Sequence, residues 1–194
     1  MQISQPANII PDRNQALNEI LTAGTLWDII VIGGGATGLG TALDAAARGY
    51  KVLLLEQCDF AKGTSGKSTK LIHGGVRYLA QGNFKLVREA SIERGLLCKN
   101  AAHLVENKTF IVPVYTFLDA IKYRIGLKLY DWVSGKYSLG PSYFLNSKKA
   151  KEILPAVITK NLKGAILYHD GQFDDSRLAI NLMQSIWENN GVAF

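Results

Sequence analysis

Apolar residues cluster in runs that predict a β-α-β unit near the start of the chain. Helical spacing of apolar residues predicts a helix from Pro11 to Ala23, and Gly24 follows as a stop signal. The predicted elements that follow are a buried strand over 27–32, a glycine-rich turn over 33–38, an alanine-rich helix over 39–48 and a second buried strand over 51–56. Strands this continuously apolar are typical of a parallel sheet with helices on both faces.

Behind this unit the chain turns polar over residues 61–82 and then returns to helical and strand patterns. Helices are predicted over 84–98, 117–133 and 176–189, with a short helix near 147–154. Strands are predicted over 109–112, over 165–169 and from Val192 onward. We expect Pro113 to end the first of these strands and Ser147 to cap the short helix. A strand that begins at the last residues indicates a fragment of a longer protein.

Length and composition are those of a folded chain. The 194 residues are 47% hydrophobic and 20% charged, which predicts one domain, or one and part of another. Two cysteines and three histidines argue against a disulfide-stapled scaffold and against a metal site. Cys58 and Cys98 are isolated, so we expect buried thiols rather than redox centres. We expect neither a membrane-spanning helix nor a signal peptide, which favours an intracellular, reducing compartment.

Positive charge is concentrated in the middle of the chain. Residues 61–163 carry 18 Lys and Arg against 6 Asp and Glu, a local balance of +12 within an overall net charge of +6. Such a region suits nucleic acid, an anionic membrane surface, or an anionic substrate or cofactor, and a solvated lysine-rich surface is an equal alternative. Since no nucleic-acid recognition motif accompanies the charge, we expect no nucleic-acid partner.

The glycine-rich turn carries a dinucleotide-binding motif. Its G-x-G-x-x-G residues are Gly33, Gly34, Gly35, Ala36, Thr37 and Gly38, between a predicted strand and a predicted helix. Gly33 allows the tight turn, Gly35 lets the backbone approach a pyrophosphate, and Gly38 allows close packing of helix and strand. The helix N-terminus offers free N–H groups to the phosphates.

An acidic residue completes this motif at the end of the second strand. Glu56 follows Gly33 by 23 positions, where a carboxylate accepts hydrogen bonds from ribose hydroxyls. A carboxylate there disfavours a ribose 2′-phosphate and hence NADP. The sequence therefore predicts an adenine dinucleotide, FAD or NAD, and a turn that binds nothing remains the alternative.

The polar segment that follows has the chemistry of a second cofactor-contacting region. Residues 64–79 read T-S-G-K-S-T-K-L-I-H-G-G-V-R-Y-L, and their hydroxyls, backbone amides and lysines suit phosphates and a polar ring edge. An ordinary flexible loop is the alternative, although Leu71, Ile72, Val76 and Leu79 predict partial burial. This segment resembles the flavin-contacting stretch of FAD-dependent glycerol-3-phosphate dehydrogenases, S-x-x-S-[ST]-K-L-[IL]-H-G-G-[LV]-R-Y-L.

Three later stretches are similar to the same family. They are residues 83–90 with Glu93-Arg94 one turn on, residues 125–131 (I-G-L-K-L-Y-D), and residues 170–178 (D-G-Q-F-D-D-S-R-L). The resemblance runs from about Trp27 to the last residue, and the family enzymes are considerably longer. It therefore implies an N-terminal portion of such an enzyme.

The resemblance implies an α/β fold, the Rossmann-like FAD/NAD(P)-binding domain of two-domain flavin oxidoreductases, apparently truncated. The implied domains are an N-terminal helical extension (1–26), the first part of the FAD-binding domain (27–110), a basic, mostly helical start of a substrate-side or membrane-side domain (111–163), and an incomplete return into the FAD-binding domain (164–194).

The implied reaction oxidises sn-glycerol 3-phosphate to dihydroxyacetone phosphate, with hydride transfer to flavin N5 and electrons passing to a quinone or, in some relatives, to oxygen. The implied catalytic residues are His73, Arg77 and Tyr78, with no metal. The implied FAD ligands are the six residues of the glycine-rich turn and Glu56, Gln57, Thr64, Ser65, Ser68, Thr69, Lys70, Leu71, His73, Gly74 and Gly75.

Several of these residues have structural alternatives. His73 equally fits a cap of the Gly74-Gly75 turn, and Arg77 fits an ion pair with Asp174 or Asp175. Neighbouring residues of an extended segment face opposite sides, so Asp174 and Asp175 are not expected to share a proton as a catalytic dyad. Asp175 is instead predicted to cap the helix that starts near Ser176.

The segment 117–133 mixes apolar, aromatic and basic residues. On a helix, Leu118, Ile121, Ile125, Leu129 and Trp132 share one side, which suits either packing against a core or a membrane interface. The resemblance implies peripheral attachment to the inner face of the cell membrane, a cytoplasmic location and possible homodimers. Two other functions stay open: a related FAD-dependent amine oxidoreductase, and a non-catalytic dinucleotide-binding module.

Overall fold

The computed structural model describes residues 13–22 and 24–194, without the side chains of Val76, Arg77 and Ala80. These residues form two units, one made of the chain up to Lys70 together with Asp174–Phe194, the other of Leu71–Phe173. The elements are α1 (Arg13–Leu21), β1 (Ile29–Ile32), α2 (Ala36–Ala47), β2 (Val52–Leu55), β3 (Leu71–Ile72), α3 (Phe84–Asn100), β4 (Val105–Val114), α4 (Phe117–Ser134), β5 (Tyr143–Asn146), α5 (Ser147–Ile153), β6 (Gly164–Phe173), α6 (Asp175–Glu188) and β7 (Val192–Ala193).

The first unit contains the predicted β-α-β arrangement with a parallel sheet. Its strands lie in the order β1-β2-β7, with Ile29 opposite Val52 and Leu53 opposite Val192. The core lies where α2 and α6 pack on this sheet, and its buried side chains include Leu39, Ala42, Val52, Leu54, Met183 and Ile186. The parallel sheet predicted from the apolar runs is therefore confirmed.

Both faces of that sheet are covered along β2 and β7, where Leu53 and Val192 are buried as well as their neighbours, but not along β1. Along β1 the exposure alternates, because Ile29 and Val31 pack on the core whereas Ile30 and Ile32 are 56% and 87% exposed. The apolar run was read as two-sided burial, but in a strand the successive side chains point to opposite faces. Only one of those faces meets α2 and α6.

The second unit is built on an antiparallel sheet, which the sequence reading missed. The long strand β6 pairs along its whole length with β4, from Val114 opposite Gly164 to Val105 opposite Phe173. On its other side β6 pairs with β3 and with β5. Helices α3 and α4 pack against this sheet around a core that includes Val87, Val114, Leu127, Tyr130 and Ile166.

Two local predictions in this unit were wrong, and two short strands were not predicted. Pro113 lies inside β4 instead of ending it, because β4 is an edge strand among the described residues and an edge tolerates a missing N–H. Asn146, not Ser147, caps α5, with its side chain accepting a hydrogen bond from the Lys149 N–H. The strands β3 and β5 were missed since runs of two and four residues give too short a pattern.

Two further predictions concern the thiols and the membrane. Cys58 is exposed and Cys98 half-buried, so the expected burial of the Cys58 thiol was wrong. In the described part of the chain, no helix combines the length and the hydropathy that crossing a bilayer requires. The domain functions assigned to 27–110, 111–163 and 164–194 stay predictions, while the observed units divide at Lys70 and Asp174.

Candidate cofactor site

The glycine-rich turn of the first unit has the backbone that its sequence predicts. Gly33 has a φ of +108°, which L-residues with a side chain rarely adopt. A Cβ on Gly38 would collide with the Gly33 carbonyl oxygen, so glycine is needed where helix α2 crosses the end of β1. The structural roles predicted for Gly33 and Gly38 are confirmed.

The N-terminus of α2, at Gly35 and Ala36, directs backbone N–H groups that suit an anionic ligand. Gly35 is the N-cap residue and supplies no side-chain cap, which leaves the first N–H groups of the helix without intrahelical partners. The Ala36 N–H donates to the Ser65 hydroxyl oxygen at 2.8 Å. Because Ser65 accepts this bond through its oxygen, its own O–H proton remains free to donate to an anion. The exposed Thr37 follows in the first turn.

Glu56 lies at the end of β2, beside the same turn. Its Oε2 accepts from the Gly34 N–H at 2.7 Å and its Oε1 from the Cys58 N–H at 2.9 Å. The hydrogen bond from Gly34, and next that from Cys58, holds the pKa of this carboxyl below its ordinary value. Each carboxylate oxygen keeps a further lone pair, which suits a ribose hydroxyl. Gln57 follows with an exposed side chain.

The loop of residues 64–70, hereafter the serine–lysine loop, belongs to the same unit. It begins with a 3-10 turn over Thr64–Gly66 that carries Ser65 to the N-terminus of α2. Thr64 and Thr69 are exposed. The structure therefore brings together two segments that the sequence reading assigned to one cofactor.

Ser68 and Lys70 of this loop turn toward an acidic residue of α6. Both side chains donate to the carboxylate of Asp175. The prediction that Asp175 caps α6 was wrong, because Asp174 is the cap and accepts from the Arg177 N–H at 3.0 Å. No sequence pattern predicted this contact, since 107 positions separate Ser68 from Asp175.

The remaining predicted site residues belong to the second unit. Leu71 lies on β3, and the exposed His73 follows it directly. Gly74 and Gly75 are buried, and Gly75 has a φ of +71°. The half-buried Tyr78 lies one turn later in a 3-10 helix over Val76–Gln81. The side chain of Arg77 lies outside the described residues, so its predicted role and its alternative as an ion-pair partner stay predictions.

A buried network that the sequence reading did not identify supports this turn. Arg94 Nη1 donates to Asp170 Oδ1 at 2.7 Å and to Tyr130 Oη at 2.5 Å, and Arg94 is 2% exposed. Burial raises the pKa of Asp170 although Arg94 acts to lower it. A Cβ on Gly74 would collide with Tyr130 Oη and lie 2.8 Å from Ser91 Oγ. Glycine is thus needed where the turn lies against the network.

The first unit carries the donor set of a dinucleotide site. The N-terminus of α2 and the Ser65 hydroxyl offer hydrogen-bond donors to a pyrophosphate, and Glu56 offers acceptors to a ribose. Gly35 leaves room for a pyrophosphate to approach the backbone. A Cβ at this position would lie 3.2 Å from Ser65 Oγ and would narrow that space. These residues fit the adenine-dinucleotide part of FAD.

Comparison with known families agrees with this donor set. A family model described as FAD dependent oxidoreductase matches residues 28–194. The chain belongs to the FAD dependent oxidoreductase family. FAD as cofactor is confirmed by this membership, and so is the predicted Rossmann-like flavin oxidoreductase fold. The individual cofactor contacts of this FAD dependent oxidoreductase stay predictions.

Similar proteins narrow the resemblance within that family. A probable glycerol-3-phosphate dehydrogenase of Encephalitozoon cuniculi is 43% identical over 190 residues, which are 94% of this chain and 31% of that protein. The human mitochondrial glycerol-3-phosphate dehydrogenase is 44% identical over 183 residues, 91% of this chain and 25% of that protein. The chain thus spans between a quarter and a third of the length of these curated relatives.

A solved structure shares the fold. The glycerol-3-phosphate dehydrogenase from Bacillus halodurans complexed with FAD superposes with a TM-score of 0.68 and is 31% identical. The match covers 94% of this chain and 28% of that one. The predicted resemblance to FAD-dependent glycerol-3-phosphate dehydrogenases is confirmed as a resemblance by these relatives.

Proposed function

We propose that this protein takes part in the FAD-dependent oxidation of sn-glycerol 3-phosphate to dihydroxyacetone phosphate, with a quinone as the electron acceptor. The observation that carries the proposal is the 43–44% identity to glycerol-3-phosphate dehydrogenases over more than nine-tenths of the chain. Because the relatives are three to four times longer, further substrate contacts are expected from sequence beyond this chain's counterpart.

The proposed roles follow from the chemistry of each side chain. FAD, when bound, supplies the acceptor for the hydride that leaves the carbinol carbon. Arg77 pairs with the substrate phosphate, since a guanidinium matches the geometry of phosphate oxygens. His73, exposed directly after β3, takes the hydroxyl proton at a ring nitrogen. Tyr78, in the 3-10 helix that follows Gly74 and Gly75, contacts the substrate.

The experiment is anaerobic reduction of the FAD-loaded protein by defined substrates. Addition of sn-glycerol 3-phosphate is expected to bleach the flavin absorbance, while the enantiomer sn-glycerol 1-phosphate serves as the matched control. Bleaching by amino acids instead would assign the chain to the amine oxidoreductases. An FAD-loaded protein that none of these compounds reduces would indicate a non-catalytic module.

We also propose peripheral attachment to a membrane through helix α4. Its predicted apolar side is exposed rather than packed on the core, with Leu118, Ile125 and Trp132 at 80%, 64% and 77% exposure. The core of the unit is contacted instead by Ala120, Leu127 and Tyr130. Lysines flank the exposed side chains, which suits anionic headgroups.

An apolar groove beside α4 supports the proposal that the electron acceptor is an apolar molecule, the quinone. It encloses about 630 Å³ and is lined mainly by apolar side chains, among them Val112, Ile125, Leu129 and Tyr168.

Flotation with anionic vesicles tests the membrane proposal: the wild-type protein is expected to float and a Leu118→Ser/Trp132→Ser variant to remain at the bottom. Equal flotation of both proteins would contradict attachment through α4.

A further inference from the structure

The carboxylate of Asp175 holds the serine–lysine loop against the first turn of α6. Its side chain is 4% exposed. Oδ2 accepts from the Ser68 backbone N–H at 3.1 Å and from the Ser68 hydroxyl at 2.7 Å. Oδ1 accepts from Lys70 Nζ, in an ion pair, and from the Ser176 N–H at 2.8 Å. One buried carboxylate thus joins two residues of the loop to the helix.

Lys70 is fixed at both of its ends. Its backbone has a φ of +61°, in the left-handed region that a residue with a side chain rarely adopts. Its Nζ, besides pairing with Asp175, donates to the Gly66 carbonyl oxygen at 3.0 Å. Such a conformation persists only where surrounding contacts stabilise it, and here those contacts include the ion pair with Asp175.

The loop that Asp175 fixes is the one that reaches the glycine-rich turn. Ser65 lies three positions before Ser68, and its hydroxyl accepts the Ala36 N–H at 2.8 Å. A shift of the loop backbone at Ser68 would therefore move the Ser65 hydroxyl away from the N-terminus of α2. The carboxylate of Asp175 is therefore connected to the glycine-rich turn through the loop. Among the described residues it makes no hydrogen bond of its own to that turn.

The charge of Lys70 is already matched within this arrangement. Its ammonium lies against the ionised Asp175, so the pair presents little net charge to an incoming phosphate. An ammonium paired in this way attracts an anionic phosphate less strongly than an unpaired ammonium does. Lys70 differs in this respect from the backbone N–H groups of α2, for which the described residues show no anionic partner.

We propose that Asp175 is a positioning residue for FAD, which holds the serine–lysine loop so that the Ser65 hydroxyl lies at the pyrophosphate position. Lys70 then acts through Asp175 and not as a ligand of the phosphate. The inference rests on FAD binding at the glycine-rich turn, and it does not depend on glycerol 3-phosphate as the substrate.

The experiment is a double-mutant cycle on FAD affinity, measured by flavin fluorescence on proteins first shown to be folded by circular dichroism. Asp175→Asn and Lys70→Met are each expected to weaken FAD binding about tenfold, since each removes a charge-assisted contact. The double variant is expected to bind no more weakly than the weaker single variant. The matched control is Asp174→Asn, the same change at the neighbouring cap, where asparagine caps equally well and FAD affinity is expected to stay unchanged.

The salt dependence of FAD binding separates positioning from direct ligation. If Lys70 acts through Asp175, the Lys70→Met protein keeps the wild-type dependence on salt, since no phosphate contact is lost. A weaker salt dependence in Lys70→Met, or FAD affinity in Asp175→Asn equal to or tighter than wild type, would overturn the proposal. Equal losses in Asp174→Asn and Asp175→Asn would also overturn it, because they would indicate a general effect on α6.

Two additional results keep the test decisive. If Asp175→Asn does not fold, Ser68→Ala replaces it: this variant removes one donor to Asp175 and is expected to weaken FAD binding about threefold. Unchanged FAD affinity in a folded Ser68→Ala protein would contradict the proposal. A wild-type protein that binds FAD but is not reduced by glycerol 3-phosphate contradicts the proposed substrate alone.

Discussion

Asp170 and Asp175 stand five positions apart in the sequence, each beside a cation, yet their pKa values move in opposite directions. Their side chains are similarly buried, at 6% and 4% exposure. Burial raises the pKa of Asp170, and the hydrogen bond from Arg94 does not reverse it. Burial also acts to raise the pKa of Asp175, but hydrogen bonds from Lys70 and Ser68 outweigh it and lower that pKa to about 2.

The difference lies in the cations and in the number of donors. Arg94 is almost completely buried, at 1% side-chain exposure, so the pair with Asp170 takes two charges out of water. Lys70 keeps 41% of its side chain exposed. Asp175 in addition accepts hydrogen bonds from Ser68 and Ser176, whose donors favour the ionised form. Low side-chain exposure alone therefore does not set the direction of the pKa shift, which depends on the surroundings of each carboxylate and on its hydrogen-bond donors.

The largest effect is expected when the buried pair of the second unit is broken. Arg94→Met leaves Asp170 buried without its cation and is expected to lower the free energy of unfolding by about 3–5 kcal/mol. Urea unfolding followed by circular dichroism measures it, with the exposed Arg88→Met as the matched control. An Arg94→Met/Asp170→Leu protein is expected to be more stable than Arg94→Met. A loss in Arg94→Met no larger than in Arg88→Met would contradict the account of the pair.

A smaller effect is expected from the pair of the first unit. Asp175→Asn keeps the shape of the side chain but removes the charge that Lys70 and Ser68 contact, and we expect a loss of about 1.5–3 kcal/mol. The exposure of Lys70 reduces the loss, because water replaces the contact in part. The same urea experiment measures it, and a loss greater than that of Arg94→Met would reverse the comparison.

The glycine beside the buried network offers a steric test. Gly74→Ala places a Cβ against Tyr130 Oη and Ser91 Oγ, and is expected to cost about 1–3 kcal/mol of unfolding free energy. Tyr130→Phe removes the obstructing oxygen, so the double variant is expected to lose less than the sum of the two single losses. Strict additivity of the two losses would show that the contact does not restrict the turn.

The pH dependence of stability gives the finest distinction. The folded-state pKa of Asp175 is about 2 and its ordinary value 3.8, so its stabilising effect is present above the ordinary value and is lost as the pH falls toward 2. The difference in unfolding free energy between wild type and Asp175→Asn should therefore shrink between about pH 5 and pH 2. A difference that stays constant over this range would show that the contacts do not lower the pKa of the Asp175 carboxyl.

The elements with a long and regular pattern were predictable from the sequence. The run 27–32, the glycine motif and the run 51–56 specify a local β-α-β unit, because neighbouring elements satisfy each other's hydrogen bonds and apolar surfaces. Glu56 was predictable for the same reason, since its position is set by the end of β2. The exposure of Ile30 and Ile32 was not predictable, because the composition of a strand does not tell which of its faces meets a helix.

The long-range contacts of the site were not predictable from one sequence. The approach of Asp175 to Ser68 spans 107 positions and depends on how the loop packs on α6. The Arg94–Asp170 pair spans 76 positions, and a charged residue in an amphipathic helix is normally expected on its exposed side. The antiparallel sheet escaped prediction because the pairing of its long strands β4 and β6 joins distant parts of the chain, and because β3 and β5 are too short to show a period.

The most direct test of the cofactor site is an FAD titration of the ¹⁵N-labelled protein followed by amide chemical shifts. The account predicts that Gly34, Gly35 and Ala36 of the turn and Ser65 and Ser68 of the serine–lysine loop shift together, with one common dissociation constant for FAD. Shifts confined to one of the two segments, or two different dissociation constants, would contradict a single site formed by both.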